Sequence, residues 1–138
     1  MAAPSSLIER IYKNGDPNAA NARKPLVSLE EFFEGNVFEG SIGCNLFPHP
    51  GIANFYSTLS AIREREQVAD LRVGITANDD EDWPFSDAIY LVTSADEAEV
   101  SKWLSLLEPD EVFAVSEPEA IEPIDVPPGH RLLGAWWD

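Results

Sequence analysis

Apolar residues alternate along residues 68–76, through Leu71, Val73 and Ile75, and again along 87–93, through Ala88, Tyr90 and Val92. Alternation of period two over this length predicts two strands. Between them runs Asn78-Asp79-Asp80-Glu81-Asp82-Trp83-Pro84, the most charged loop of the chain. From Ser94 the period changes: Val100, Trp103, Leu104 and Leu107 recur at three and four residues behind the capping box Ser94-Ala95-Asp96-Glu97. A helix to residue 107 is expected, stopped by Pro109. Ile52, Phe55, Tyr56, Leu59 and Ile62 form a second apolar stripe, which predicts a helix over 52–67 with a solvated last turn from Arg63 to Glu66.

Shorter patterns fill the remainder. A serine cap followed by Leu7, Ile8 and Ile11 predicts a short helix over 5–12, and the Gly-, Pro- and Asn-bearing residues 13–24 read as a polar loop. Ser28 and Glu31 make a capping box with Gly35 as the stop, giving a helix that buries Leu29, Phe32 and Phe33. Ile42, Cys44 and Leu46 alternate, so residues 41–46 are expected to be the first central strand with Cys44 facing the core. A further strand is expected over 111–115. Residues 116–129, with four prolines and four acids, form an extended arm, and 131–137 a closing strand.

The core order is thus strand, helix, strand, strand, helix, strand. This is the split-βαβ, or ferredoxin-like, order of an α+β fold: a mainly antiparallel sheet with two long helices on one face, short N-terminal helices and a C-terminal edge strand. Residues 1–24 are expected to attach loosely, and 25–138 to form a single domain.

Composition narrows the setting. At 138 residues and 44% apolar, the chain can bury a core without staples. Its one cysteine points to a reducing compartment. The early charges of Glu9 and Arg10 argue against a signal peptide, and no apolar run reaches the roughly 18 residues of a membrane span. A cytoplasmic location is expected, with no membrane partner.

Charge changes the picture most. The net charge is −16, of which residues 70–138 carry −14 and residues 1–69 only −2. Such a field repels phosphates and anionic lipid, excluding nucleic acid as a partner, and accelerates encounter with a basic protein.

No catalytic signature stands out. There is no Gly-rich phosphate loop, no G-x-S-x-G and no H-E-x-x-H. His49 and His130 lack a second ligand at metal spacing, and Pro84 and Phe85 occupy the wrong places for a calcium loop, so no metal or cofactor is expected. Asp79, Asp80, Glu81 and Asp82 instead surround an aromatic, Trp83, as a charged rim surrounds an anchor at many binding surfaces. Trp136 and Trp137 point to opposite sides of the closing strand, so one is core and the other a contact; Trp137 is the expected contact.

The run Trp83-Pro84-Phe85-Ser86-Asp87-Ala88-Ile89-Tyr90-Leu91-Val92-Thr93-Ser94 supports a resemblance, as do Val100…Trp103-Leu104, Pro109-Asp110-Glu111-Val112, and Pro127-Pro128-Gly129-His130…Trp136-Trp137-Asp138. From Pro25 to the C-terminus these residues resemble a family of small, uncharacterised bacterial proteins, similar in type to the acidic immunity proteins of toxin systems. The resemblance implies a bacterial binding protein and brings no catalytic motif. The expected function is a non-enzymatic acidic protein-binding module, of immunity type, masking a basic site on a partner. The alternative is a small-ligand-binding or enzymatic domain, with a pocket between sheet and helices lined by Tyr56, Tyr90 and Trp103. An open sheet edge would also permit a homodimer.

Overall fold

The computed structural model describes residues 3–79 and 82–138. The loop residues Asp80 and Glu81 lie outside the described residues. Among the described residues the α-helices and strands are α1 (Ser5–Tyr12), β1 (Leu26–Val27), α2 (Leu29–Phe33), α3 (Ile52–Arg63), β2 (Val68–Gly74), β3 (Ala88–Thr93), α4 (Glu97–Trp103), β4 (Glu111–Ala114) and β5 (Arg131–Trp136). The fold is α+β. All five strands join one antiparallel sheet in the order β1-β2-β3-β5-β4.

This order differs from the split-βαβ expectation because residues 41–46 supply no strand. Gly43 adopts φ +64°, where a side chain would be strained, and the Phe55 ring occupies the space a Cβ would need. The chain therefore turns there, with Leu46 N–H donating to the Gly43 carbonyl, and only Ile42 makes a lone parallel bridge to Ser86. Cys44 is exposed, not core-facing. Nor is the closing strand β5 the expected C-terminal edge strand: it lies between β3 and β4, and the edges of the sheet are β1 and β4.

Side-chain alternation divides the sheet into two faces. Leu71, Val73, Ile89, Leu91, Leu133 and Ala135 meet Phe55, Leu59 and Ile62 of α3, Val100 of α4, and the buried side chains of α1 and α2. Burying these side chains supplies the main hydrophobic stabilisation. Leu7 and Ile11 are fully part of this core, so residues 5–12 are packed against the rest of the chain instead of hanging loosely. The opposite face presents Ala88, Tyr90, Leu132, Phe113 and Trp136 to Ile121 and Ile124 of the proline-rich arm.

Local signals account for most helix ends. Ser28 and Glu31 form the expected reciprocal capping box of α2. The fourth helix starts later than its sequence suggests: its cap is Asp96, which accepts the Glu99 N–H, while the Ala95 N–H donates to Thr93 Oγ1. It also ends early, passing into a 3-10 turn over Ser105–Leu107. The third helix stops at Arg63, four residues short of expectation. Its last side chains are engaged, Arg63 with Glu30 and Arg65 over the Trp103 ring at 4.5 Å.

Candidate functional site

The acidic loop closes the β2–β3 hairpin, which a bridge between Ala77 and Phe85 extends past its strand ends. Asn18 anchors its base: its Oδ1 accepts the Asn78 N–H at 2.8 Å and its Nδ2 donates to the Asn78 carbonyl at 3.2 Å. Asp79 and Asp82 are exposed. Trp83 is not: it is 2% exposed and packs into the main core. Among the described residues its indole N–H has no acceptor.

Trp137 is likewise internal, at 1% exposure, with Nε1 donating to the Leu107 carbonyl at 2.7 Å and its ring 5.4 Å from that of Phe55. The two tryptophans expected to meet a partner therefore hold the fold together. The two do point to opposite faces, and it is Trp136 that is half-buried, on the arm side. Of the expected contact residues, the described ones that reach solvent are Asp79 and Asp82.

The alternative pocket does not assemble either. Tyr56 stacks on Phe33 at 5.2 Å. Trp103 lines an open cavity of about 430 Å³ beside Leu106 and Arg65. Tyr90 faces the arm, on the other side of the sheet. A cavity of about 500 Å³ does exist where the 13–24 loop meets the arm, lined by Asn14, Asp16, Arg23 and Glu122 among others.

That cavity borders a clasp with no local signature along the chain. Glu122 is 5% exposed and receives four donors. Arg10 Nη2 donates to Oε1 at 2.7 Å, Leu26 N–H to the same oxygen at 2.8 Å, Asn14 Nδ2 to Oε2 at 2.6 Å, and Arg10 Nη1 to Oε2 at 3.4 Å. Burial alone would push this carboxyl up. The Arg10, Leu26 and Asn14 hydrogen bonds outweigh that and hold it below its ordinary value, while Glu122 raises the Arg10 guanidinium in return. With its lone pairs taken, Glu122 ties α1, β1 and the arm together and has no acceptor capacity to offer a ligand.

Electrostatics at the surface are one-sided for a structural reason. Arg10, Lys24, Arg63, Arg72 and Arg131 are each engaged by a carboxylate of the same chain, namely Glu122, Asp87, Glu30, Asp70 and Glu97. Among the described residues five basic side chains are thus paired within the chain, while Asp79, Asp96, Glu99, Glu108, Asp110, Glu111, Glu117, Glu119, Asp125 and Asp138 face solvent. Among the described residues no group of three His, Cys, Asp or Glu is placed to hold a metal ion. No helix there is long and apolar enough to cross a membrane.

One exposed aromatic stands out. Phe47 is fully exposed in the loop 43–51, which is nonetheless fixed. His49 Nδ1 accepts the Gly51 N–H at 2.8 Å and Nε2 lies 2.8 Å from the Ile42 carbonyl, an arrangement that needs the neutral ring protonated at Nε2. Asn45 Nδ2 donates to Asp110 at 3.3 Å, and Asp110 also accepts the Asp138 N–H. Nothing in the apolar pattern marks Phe47, because a single aromatic in a Pro-flanked loop has no period.

No solved structure matches the chain. A relative from Escherichia coli (strain K12), "Uncharacterized protein YfbO", is 41% identical over 137 residues, covering 95% of this chain and 98% of its own length. Residues 2–135 match the family described as "Uncharacterized protein YfbO family", and the chain belongs to that family.

Proposed function

We propose that this protein is a non-enzymatic acidic protein-binding module that covers a basic surface of a partner, with an immunity-type inhibitor as the specific form. The observation that carries the reading is the imbalance at the surface. Among the described residues internal ion pairs take up five basic side chains, and acids of the 70–138 half remain in solvent. Charge exposed in this way orients and speeds the approach of a basic protein. The lone cysteine suits a reducing cytoplasm, where such a partner would be met.

The test is kinetic. The immobilised chain is used to capture proteins from its host, and the association rate of any purified basic partner is then measured from low to high salt. The rate is expected to fall by at least tenfold as screening shortens the reach of the acids. A specific partner whose association rate ignores ionic strength would overturn the reading.

A further inference from the structure

We infer that the partner docks on the end of the molecule built by residues 43–51, 107–111 and 136–138, with Phe47 inserted in an apolar cleft and Glu108, Asp110, Glu111 and Asp138 meeting basic residues around it. This rests on the basic-partner reading and gives it a place and an anchor.

Three observations converge there. Phe47 has its whole side chain in water, whereas every tryptophan in the described residues is at least half-buried. A large aromatic left in water on a fixed loop marks a contact surface, since aromatic anchors dominate interface energetics. The loop carrying it is held at both ends by His49 and joined to Asp110 through Asn45, so little ordering remains to be done on binding. Finally, the three segments contain four carboxylates and no lysine or arginine. Charge complementarity therefore names the occupant as a protein with a basic rim. A second copy of this chain is disfavoured, because it would bring four carboxylates against four.

The end also differs from the acidic hairpin loop in what it offers. There the aromatic, Trp83, is already consumed by the core, leaving charge without an apolar contact. Here charge and exposed ring occur together, which is the arrangement that lets acids set the encounter rate and the ring set the lifetime of the complex.

The test uses the full chain, isotope-labelled for NMR, and two synthetic helical probe peptides of equal positive charge. One carries a leucine stripe among its lysines and the other glutamine in place of leucine. The leucine peptide is expected to shift the amides of Cys44–His49 and Glu108–Glu111. Phe47→Ser should weaken it by roughly ten- to a hundredfold, the loss of one buried phenyl contact. Because Phe47 touches nothing in the fold, the rest of the spectrum should stay in place. Glu108→Gln with Glu111→Gln should flatten the salt dependence and leave the leucine preference intact. Equal, diffuse shifts from both peptides, unmoved by Phe47→Ser, would overturn the location while leaving a basic partner standing. No shifts from either peptide at low salt would overturn both.

Discussion

The two faces of the sheet are closed by different means. On the helical face, four helices lay down an apolar layer that includes Leu7, Phe32, Phe55, Leu59, Ile62 and Val100, against Leu71, Val73 and Leu91 of the sheet. On the other, an irregular arm crosses from β4 to the β1 edge and touches down at few points. Lys24 N–H donates to the Ala120 carbonyl and Glu122 N–H to the Lys24 carbonyl, Ile121 packs near Tyr90, and Glu122 is clasped by α1. The difference teaches that area holds the first face and specific polar geometry the second. Substitutions should divide along that line.

The largest effect is expected on the helical face. Phe55 is fully buried and its ring lies 5.4 Å from both His49 and Trp137. Phe55→Ala should cost about 3–5 kcal/mol in urea denaturation, the usual loss for a buried aromatic whose cavity cannot collapse. A cost below about 1 kcal/mol would mean that this layer is loosely packed.

On the arm face, Glu122 is the point to break. Glu122→Ala leaves the Arg10 guanidinium and the Leu26 N–H without their carboxylate, and removal of one partner from a buried pair costs about 3 kcal/mol. The pH dependence follows from the direction of the shift. A carboxyl held below its ordinary value of about 4.5 adds stability that is complete above that pH and is lost as pH falls through the lower folded value. Wild type and Glu122→Gln should therefore differ clearly at pH 7 and converge as the pH falls through the folded carboxyl's lowered value. A gap that persists in acid would show that the carboxylate charge is not what holds the arm.

Legibility in the sequence follows the same division. The helical face was readable because its residues obey a period, and β2, β3, β4, β5 and all four helices lie where alternation and helical spacing put them, within a few residues. The failures were places where one long-range contact overrides a local pattern. Ile42, Cys44 and Leu46 alternate, yet Gly43 has to leave room for Phe55, from a helix nine residues further on. Trp83 sits among acids, yet its ring is 2% exposed and packs into the main core. The Glu122 clasp joins residues 112 positions apart, and nothing local distinguishes that glutamate from Glu117 or Glu119. Acidity was legible in total. Which acids stay unpaired depends on where the bases go.

A sharper test of the arm side is steric. Phe113 on β4 lies across Gly134 of its neighbour β5, and a Cβ added there would come within 2.5 Å of the ring. Gly134→Ala should thus cost about 1–3 kcal/mol, the range for forcing a packed ring aside. The helical face should show unchanged near-UV signals from Trp137. If the substitution is neutral, Phe113 moves freely on the edge strand and the arm face is softer than its contacts suggest.

The smallest expected effect is a gain, at the junction of the two faces. Glu108 follows the 3-10 turn over Ser105–Leu107 and leads the chain from the helical layer into β4, with φ 49° and ψ 54°. An L-residue in this left-handed conformation is strained by about 1–2 kcal/mol, which glycine escapes at a cost of roughly 0.5–1 kcal/mol in unfolded-chain entropy. Glu108→Gly should therefore stabilise by about 0.5 kcal/mol, read as a rise in the urea midpoint with unchanged slope. Glu108 also stands among Asp110, Glu111 and Asp138, so removing its charge could stabilise by itself. Glu108→Gln separates the two causes, since it removes the charge and keeps the strained backbone. A gain with glycine but not glutamine locates the cost in the backbone. An equal gain with both would place it in the repulsion among these carboxylates, the charge that a basic partner would then relieve.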